Sequence, residues 1–176
     1  YLETKRVAFP RFYFLSNDEL LEILSQTRDP QAVQPHLSKC FDSMKSLEFS
    51  PEKMSITMLG MNSSEGENVR FTDELQAKGP VEGWLSAVET TMRGSLYDIT
   101  RASYEEYATY DREAQIQREG WMNKYPAQVC IAVDMTAWTS QCYAAILAKE
   151  KGEDKDATAK FLQFLIDQID AMVVMV

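Results

Sequence analysis

The sequence predicts a mainly helical α+β fold: an elongated helical bundle with a small antiparallel β-sheet or hairpin near its N-terminal half. Three observations predict it. Val81, Trp84, Leu85, Val88, Met92 and Leu96 recur at steps of three and four, which is the stripe of an amphipathic helix. Met54 to Met61 alternates like a strand, Ser63-Ser64-Glu65-Gly66-Glu67 supplies turn residues, and Val69-Arg70-Phe71 can return antiparallel. From Gly79-Pro80 onward only helical periodicity is present. The chain therefore divides into residues 1–78, with strand, helix and hairpin, and residues 79–176, which are helical.

Phe9 to Leu15 reads as an aromatic strand, with Pro10 placing it at a strand start or a sheet edge. Paired with the hairpin, it would complete three strands. Ser16-Asn17-Asp18-Glu19 fits a capping box, opening a short helix through Leu20, Leu21, Ile23 and Leu24. Asp29-Pro30 is a second helix start, which Pro35 kinks or restarts. Leu37, Cys40, Phe41, Met44 and Leu47 continue at helical spacing until Ser50-Pro51. In the second part the long helix is expected to reach toward Tyr107, and Arg112 to Lys124 forms the next, ending before Pro126. Val129, Ala132, Val133, Ala137, Tyr143 or Ala144, and Leu147 mark a third helix, which stops in the charged stretch 149–156. Phe161, Leu165, Ile169, Met172, Val173 and Val176 mark a fourth.

With 176 residues, 45% apolar and 26% charged, the chain can bury a sizeable core. A net charge of −9 disfavours nucleic acid and anionic membrane surfaces as partners. The apolar tail from Phe161 carries Asp167 and Asp170 and falls short of the roughly 20 residues of a spanning helix. Cys40, Cys130 and Cys142 are odd in number and irregular in spacing, as expected of reduced, buried thiols in a cytosolic setting. In that setting the sequon Asn62-Ser63-Ser64 carries no glycan. Tyr1 starts in mid-pattern and the apolar run from Ala171 to Val176 has no stop signal, so both ends are expected to continue into a longer polypeptide.

Chemistry-bearing patterns are lacking. No Gly precedes a Lys, so there is no phosphate-cradling loop, and there is no Gly-x-Gly-x-x-Gly. One His and three scattered Cys cannot make a zinc site at ordinary spacing. Asp154-Lys155-Asp156 hints at a calcium loop but has no Gly or closing Glu, and reads as a solvated helix start. His36 is expected to be exposed in a first helical turn, and Cys40, on the apolar face with Leu37 and Phe41, to be a small buried hydrophobe. Trp84, Trp121 and Trp138 are expected in helix cores. Glu65-Gly66-Glu67 is either a solvated hairpin tip or a contact point for a basic surface.

Several strings carry more information as text than as chemistry. They are Lys5-Arg6 with Phe9-Pro10-Arg11-Phe12-Tyr13-Phe14-Leu15-Ser16, then Glu19 to Ser25, Val33 to Leu37, and Lys39-Cys40-Phe41. Further along come Met61 to Glu67, and Gly79-Pro80-Val81-Glu82-Gly83-Trp84-Leu85 with Val88-Glu89 and Met92. Trp121, Tyr125 to Val129 and Trp138-Thr139 complete the set. Together they closely resemble the linker region of dynein heavy chains, over most of the chain to about residue 148. Leu24 to Pro30 looks axonemal rather than cytoplasmic. Ala127 stands where the family usually has Gly, so the start of that helix is in question.

The resemblance implies a mechanical part. In dyneins the linker is a mostly helical rod lying across a ring of AAA+ modules. It bends and straightens as the first module binds and hydrolyses ATP. ATP and Mg, and the microtubule-binding stalk, belong to regions C-terminal to this segment. No catalytic, cofactor-binding or metal-binding residue is then expected here. Phe9, Pro10, Arg11, Phe12 and Phe14 would be structural in the strand, and Trp84, Leu85, Val88 and Met92 in the helix core. Glu65, Gly66 and Glu67 would be candidates for docking on the AAA+ ring. The implied parent binds microtubules and other dynein subunits, in the cytoskeleton of a cilium or flagellum axoneme. A free-standing helical interaction module is the rival reading.

Overall fold

A computed structural model describes residues 1–25, 29–52 and 55–175. The fold is mainly helical with one three-stranded antiparallel sheet. The chain forms two compact units, residues 1–96 and 97–176.

The first unit begins with α1 (Leu2–Ala8), a 3₁₀ turn (Pro10–Phe14) and α2 (Asn17–Ser25). The expected strand from Phe9 to Leu15 is thus a 3₁₀ turn, closed by Phe12 N donating to Phe9 O and Leu15 N to Phe12 O. Pro10 suits this turn because its fixed φ matches the first helical position. At three residues per turn, Phe9, Phe12 and Leu15 share one side, and all three are buried. Tyr13 and Phe14 point to solvent, so Phe14, expected as a structural residue of a buried strand, lies outside the packed side of the turn. Of the four rings there, Phe9 and Phe12 are buried while Tyr13 and Phe14 are not, so aromatic content signalled neither extension nor burial throughout.

The capping box is present: Glu19 N donates to Ser16 Oγ at 3.3 Å, and Ser16 N returns to Glu19 Oε2 at 3.0 Å. Asp29 caps a second 3₁₀ segment (Pro30–His36) by accepting from Gln31 N, and α3 (Leu37–Cys40) follows. The helical spacing of Leu37 to Leu47 holds only to Cys40. Ser43 turns left-handed at φ 62°, and Met44–Phe49 is a strand, β1. Met44 and Leu47 are three apart yet both buried, because a bulge between Met44 and Ser46 shifts the alternation. That bulge is why a strand imitated helical spacing.

β2 (Thr57–Ser63) and β3 (Asn68–Gln76) form the expected hairpin, in the order β1-β2-β3. Met54, part of the expected strand, lies outside the described residues. The β2–β3 register jumps between Met58↔Leu75 and Gly60↔Arg70. A Cβ on Gly60 would sit 2.6 Å from Val69 O, so only glycine permits this approach. The bulge takes Thr72 out of the ladder, and its amide donates instead to the buried Ser95 Oγ at 3.0 Å. Ser95 lies on α4 (Val81–Ala108), which buries Val81, Trp84, Leu85 and Val88 as expected, while Met92 and Leu96 are half-buried.

The second unit contains the last turns of α4, then α5 (Arg112–Ile116), α6 (Glu119–Met122), α7 (Ala127–Glu150) and α8 (Ala157–Met175). The single helix expected from Arg112 to Lys124 is two. Arg118 is buried, and its Nη1 donates to Gln115 O at 3.0 Å, taking up a carbonyl of the interrupted turn. Tyr107, Trp121, Val129, Cys130 and Val133 form the core. Trp121 Nε1 donates to Ser103 O at 3.3 Å, and its ring lies 4.7 Å from that of Tyr107. α7 begins directly at Ala127 after Pro126. Trp138 is 42% exposed, against the expected core position, and Ala132 and Tyr143 are also exposed. On α8 the buried side chains are Phe164 and Gln168, while Ile169, Met172 and Val173 face outward.

Gly60→Ala is expected to destabilise the protein by about 2 kcal/mol or more, through the clash with Val69 O. Gly83→Ala, in open space on α4, should stabilise it by up to about 1 kcal/mol. Urea unfolding of both variants checks the pair.

Candidate functional site

Arg11, one of the residues singled out by sequence, reaches two other elements by hydrogen bonds. The Pro10–Phe14 turn fixes its backbone and directs the guanidinium at α4. Nε lies 3.3 Å from Glu89 Oε2 and Nη2 lies 3.2 Å from Oε1, a two-pronged pair across 78 positions of sequence. Nη1 donates to Cys40 O at 3.0 Å, and the guanidinium carbon sits 4.9 Å from the Phe41 ring centre. One side chain therefore holds the turn, the end of α3 and the middle of α4. The Arg11 guanidinium, helped by Arg93 one helical turn on, holds the Glu89 carboxyl below the ordinary range against the opposing effect of burial.

Beneath this node the rings interlock. Phe9 and Phe12 meet edge to face at 5.0 Å, and Phe9 lies 6.1 Å from Phe41. Trp84 and Leu85 are buried on α4, as expected of structural residues. A second charged tie runs from Lys5 on α1 to Glu82 in the first turn of α4. Glu82 Oε2 is buried with no partner among the described residues. Arg6 completes the anchoring of α1, donating to Leu15 O at 3.2 Å and to Asn17 Oδ1 at 2.9 Å.

A third cluster surrounds the capping box. Glu19 receives the Lys39 ammonium and the Ser16 amide and hydroxyl, which together lower its pKa to about 2. His36 is not exposed, as its helical position suggested, but buried. Its Nε2 lies 3.5 Å from Glu22 Oε2 and its Nδ1 lies 4.0 Å from Glu19 Oε1. Cys40 is buried as expected. Burial pushes its thiol up to about 11 despite the nearby Arg11, as suits a group that packs in the core.

The hairpin tip is built from backbone. Ser63 Oγ accepts from the amides of Glu65 at 3.2 Å and Glu67 at 3.1 Å, and Ser63 N donates to Glu67 O at 2.9 Å. Gly66 takes φ +94°, which an L side chain resists. Glu65, Gly66 and Glu67 are exposed. The tip thus presents two carboxylates on a hydrogen-bonded turn. Asp154 accepts from Asp156 N at 2.9 Å and pairs with Lys160, consistent with a solvated helix start. Among the described residues no cluster of His, Cys, Asp or Glu could hold a metal ion.

The node and the tip fall inside the region that matches known proteins. The family model described as "Dynein heavy chain, N-terminal region 2" matches residues 1–103. The chain belongs to the dynein heavy chain family. It is 43% identical over 176 residues to Dynein axonemal heavy chain 1 of Mus musculus, covering 100% of this chain and 4% of that protein. Dynein axonemal heavy chain 3 of Mus musculus is 42% identical over 179 residues, with the same coverage. Dynein axonemal heavy chain 1 of Homo sapiens is 48% identical over 148 residues, or 84% of this chain and 3% of that protein. The chain spans about 4% of the length of the mouse relatives. This dynein segment therefore carries the family resemblance in a scaffold of rings and ion pairs.

Sequence reasoning placed Arg11 in a motif but assigned no partner, and gave no role to Lys5, Glu82 or Glu89. For Glu82 a signal was available, because it is the one charge in Gly79-Pro80-Val81-Glu82-Gly83-Trp84-Leu85; Lys5, beside Glu3 and Arg6, gave none.

Arg11→Ala should cost about 1–2 kcal/mol, because it leaves Cys40 O without this donor and Glu89 with Arg93 as its remaining cation in a partly screened site. Arg11→Lys should recover only part, since an ammonium cannot make the two-pronged pair. Urea denaturation measures both. Glu19 supplies a pH signature. Its folded pKa of about 2 lies below the ordinary 4.5, so its stabilisation is full above 4.5 and is lost as pH falls toward 2. The stability difference between wild type and Glu19→Gln should shrink across that window in acid titrations of the unfolding free energy.

Proposed function

We propose that this chain is a segment of the mechanical linker of an axonemal dynein, bending and straightening over the AAA+ ring to drive ATP-powered movement along microtubules. The observation that carries the reading is the dynein heavy chain match over residues 1–103, the stretch that contains both long-range charged ties and the exposed hairpin tip. A part that transmits force needs its elements tied at points far apart in sequence. Lys5–Glu82 and Arg11–Glu89 do this across 77 and 78 positions.

ATP and Mg belong to AAA+ modules elsewhere in the parent chain, and this segment is the lever that responds to them. Glu65 and Glu67 are the surface it offers to a basic patch on the ring, because a rigid turn loses little entropy on docking and two carboxylates can be released at modest cost. The parent protein works in the cytoskeleton of a cilium or flagellum, in agreement with the axonemal names of its relatives.

The test is a heavy chain carrying Glu65→Lys and Glu67→Lys together. Microtubule gliding should slow severalfold while ATP turnover without microtubules is retained. Unchanged gliding would remove the tip from the account.

A further inference from the structure

An outer strand of a sheet ordinarily offers free N–H and C=O groups to any extended chain that reaches it. In the order β1-β2-β3 the outer strands are β1 and β3, and side chains take up backbone groups on both. On β1, Leu47 stands opposite Met61 of β2. Its N–H donates to Gln34 Oε1 at 2.9 Å, and its C=O accepts from Gln34 Nε2 at 2.8 Å. Both groups therefore turn away from β2, which makes Leu47 and Met61 a non-hydrogen-bonded pair. On β3, Thr72 N donates to Ser95 Oγ at 3.0 Å.

Gln34 reproduces what a neighbouring strand would supply. One planar amide carries an acceptor and a donor side by side, so it satisfies both outward groups of Leu47 at once. An ionised Glu has no donor to offer, and Asn falls one methylene short. The backbone behind the amide is held in place. Gln34 lies in the 3₁₀ segment Pro30–His36, which Asp29 caps and in which Val33 and His36 are buried. This segment packs along β1 and α3. The sequence set Val33 to Leu37 apart as a string, yet neither the charged ties nor the hairpin tip uses Gln34.

The chain that Gln34 excludes follows from β1 itself. Leu47 offers one donor and one acceptor on the same edge. Two copies of β1 laid antiparallel about Leu47 would satisfy each other around a two-fold axis. In that register Lys45 stands opposite Phe49 and Ser46 opposite Glu48, so no like charges meet. We infer that Gln34 is an internal stop: the 3₁₀ segment is a strap across the β1 edge, fastened by this amide, and it keeps β1 from pairing with β1 of a second copy.

The test is a concentration series of the 176-residue chain in sedimentation velocity, with hydrogen exchange read at the Leu47 amide. The wild type should stay monomeric. When dilute, Gln34→Ala should exchange the Leu47 amide roughly tenfold faster, because both hydrogen bonds at that residue are lost. As concentration rises it should form dimers that slow this exchange again. Loss of a purely local bond would instead speed exchange equally at every concentration. Adding Ser46→Glu sets a carboxylate against Glu48 of the other copy and should return the chain to monomer. Gln34→Asn keeps the amide but withdraws it. It should also associate, and it carries the test if Gln34→Ala does not fold. Folded variants that remain monomeric, association that survives Ser46→Glu, or a wild type that dimerises through Leu47 would overturn the inference.

Discussion

The first unit depends on one constraint: a single guanidinium must meet three elements at once. Arg11 is the residue type able to do so. Its planar fork supplies two parallel donors to Glu89, a third to Cys40 O, and a flat cation for the face of Phe41. Directing the fork requires a backbone that is neither strand nor long helix. The 3₁₀ turn meets that need, with Pro10 setting its start and Phe9, Phe12 and Leu15 burying one side. The ion pair by itself is worth little in a partly exposed site. Its effect comes from fixing which faces the rings present to the buried aliphatic side chains around them.

The sequence disclosed the features whose physics is local. The Ser16–Glu19 capping box, the Asp29-Pro30 start, the turn at Ser63–Glu67 and the helical stripe from Val81 to Val88 each depend on residues within a few positions. The misread elements depend on partners elsewhere in the chain. Aromatic density at Phe9–Phe14 could not distinguish a strand from a tight turn that buries only Phe9 and Phe12 of its four rings. Met44 and Leu47 imitate a helix because a bulge, set by pairing with β2, adds one residue to the period. Gln117–Arg118 interrupts a helix because a buried arginine competes for its carbonyls. Trp138 and Ile169 are apolar at helical spacing yet uncovered, which intrinsic periodicity cannot reveal.

The candidate site shows the same division. The exposed tip was legible, because Gly66 and its polar neighbours specify a turn without outside help. Arg11 was visible as a motif residue, while its partner Glu89 became meaningful only once the fold brought 78 positions of sequence together. The proposed role follows from this arrangement. In that proposal the charged ties and packed rings of the dynein segment carry strain, while burial raises the pKa of Cys40, its most buried thiol.

The central claim is that this segment transmits force and does not take part in the chemistry. The most direct measurement compares ATP turnover and microtubule gliding in a heavy chain whose Arg11 and Glu89 are both replaced by alanine. The account predicts that ring ATP turnover persists while gliding slows, because hydrolysis continues through a softened lever. Gliding that keeps the wild-type ratio to turnover, whether both are unchanged or both are lost together, would contradict it.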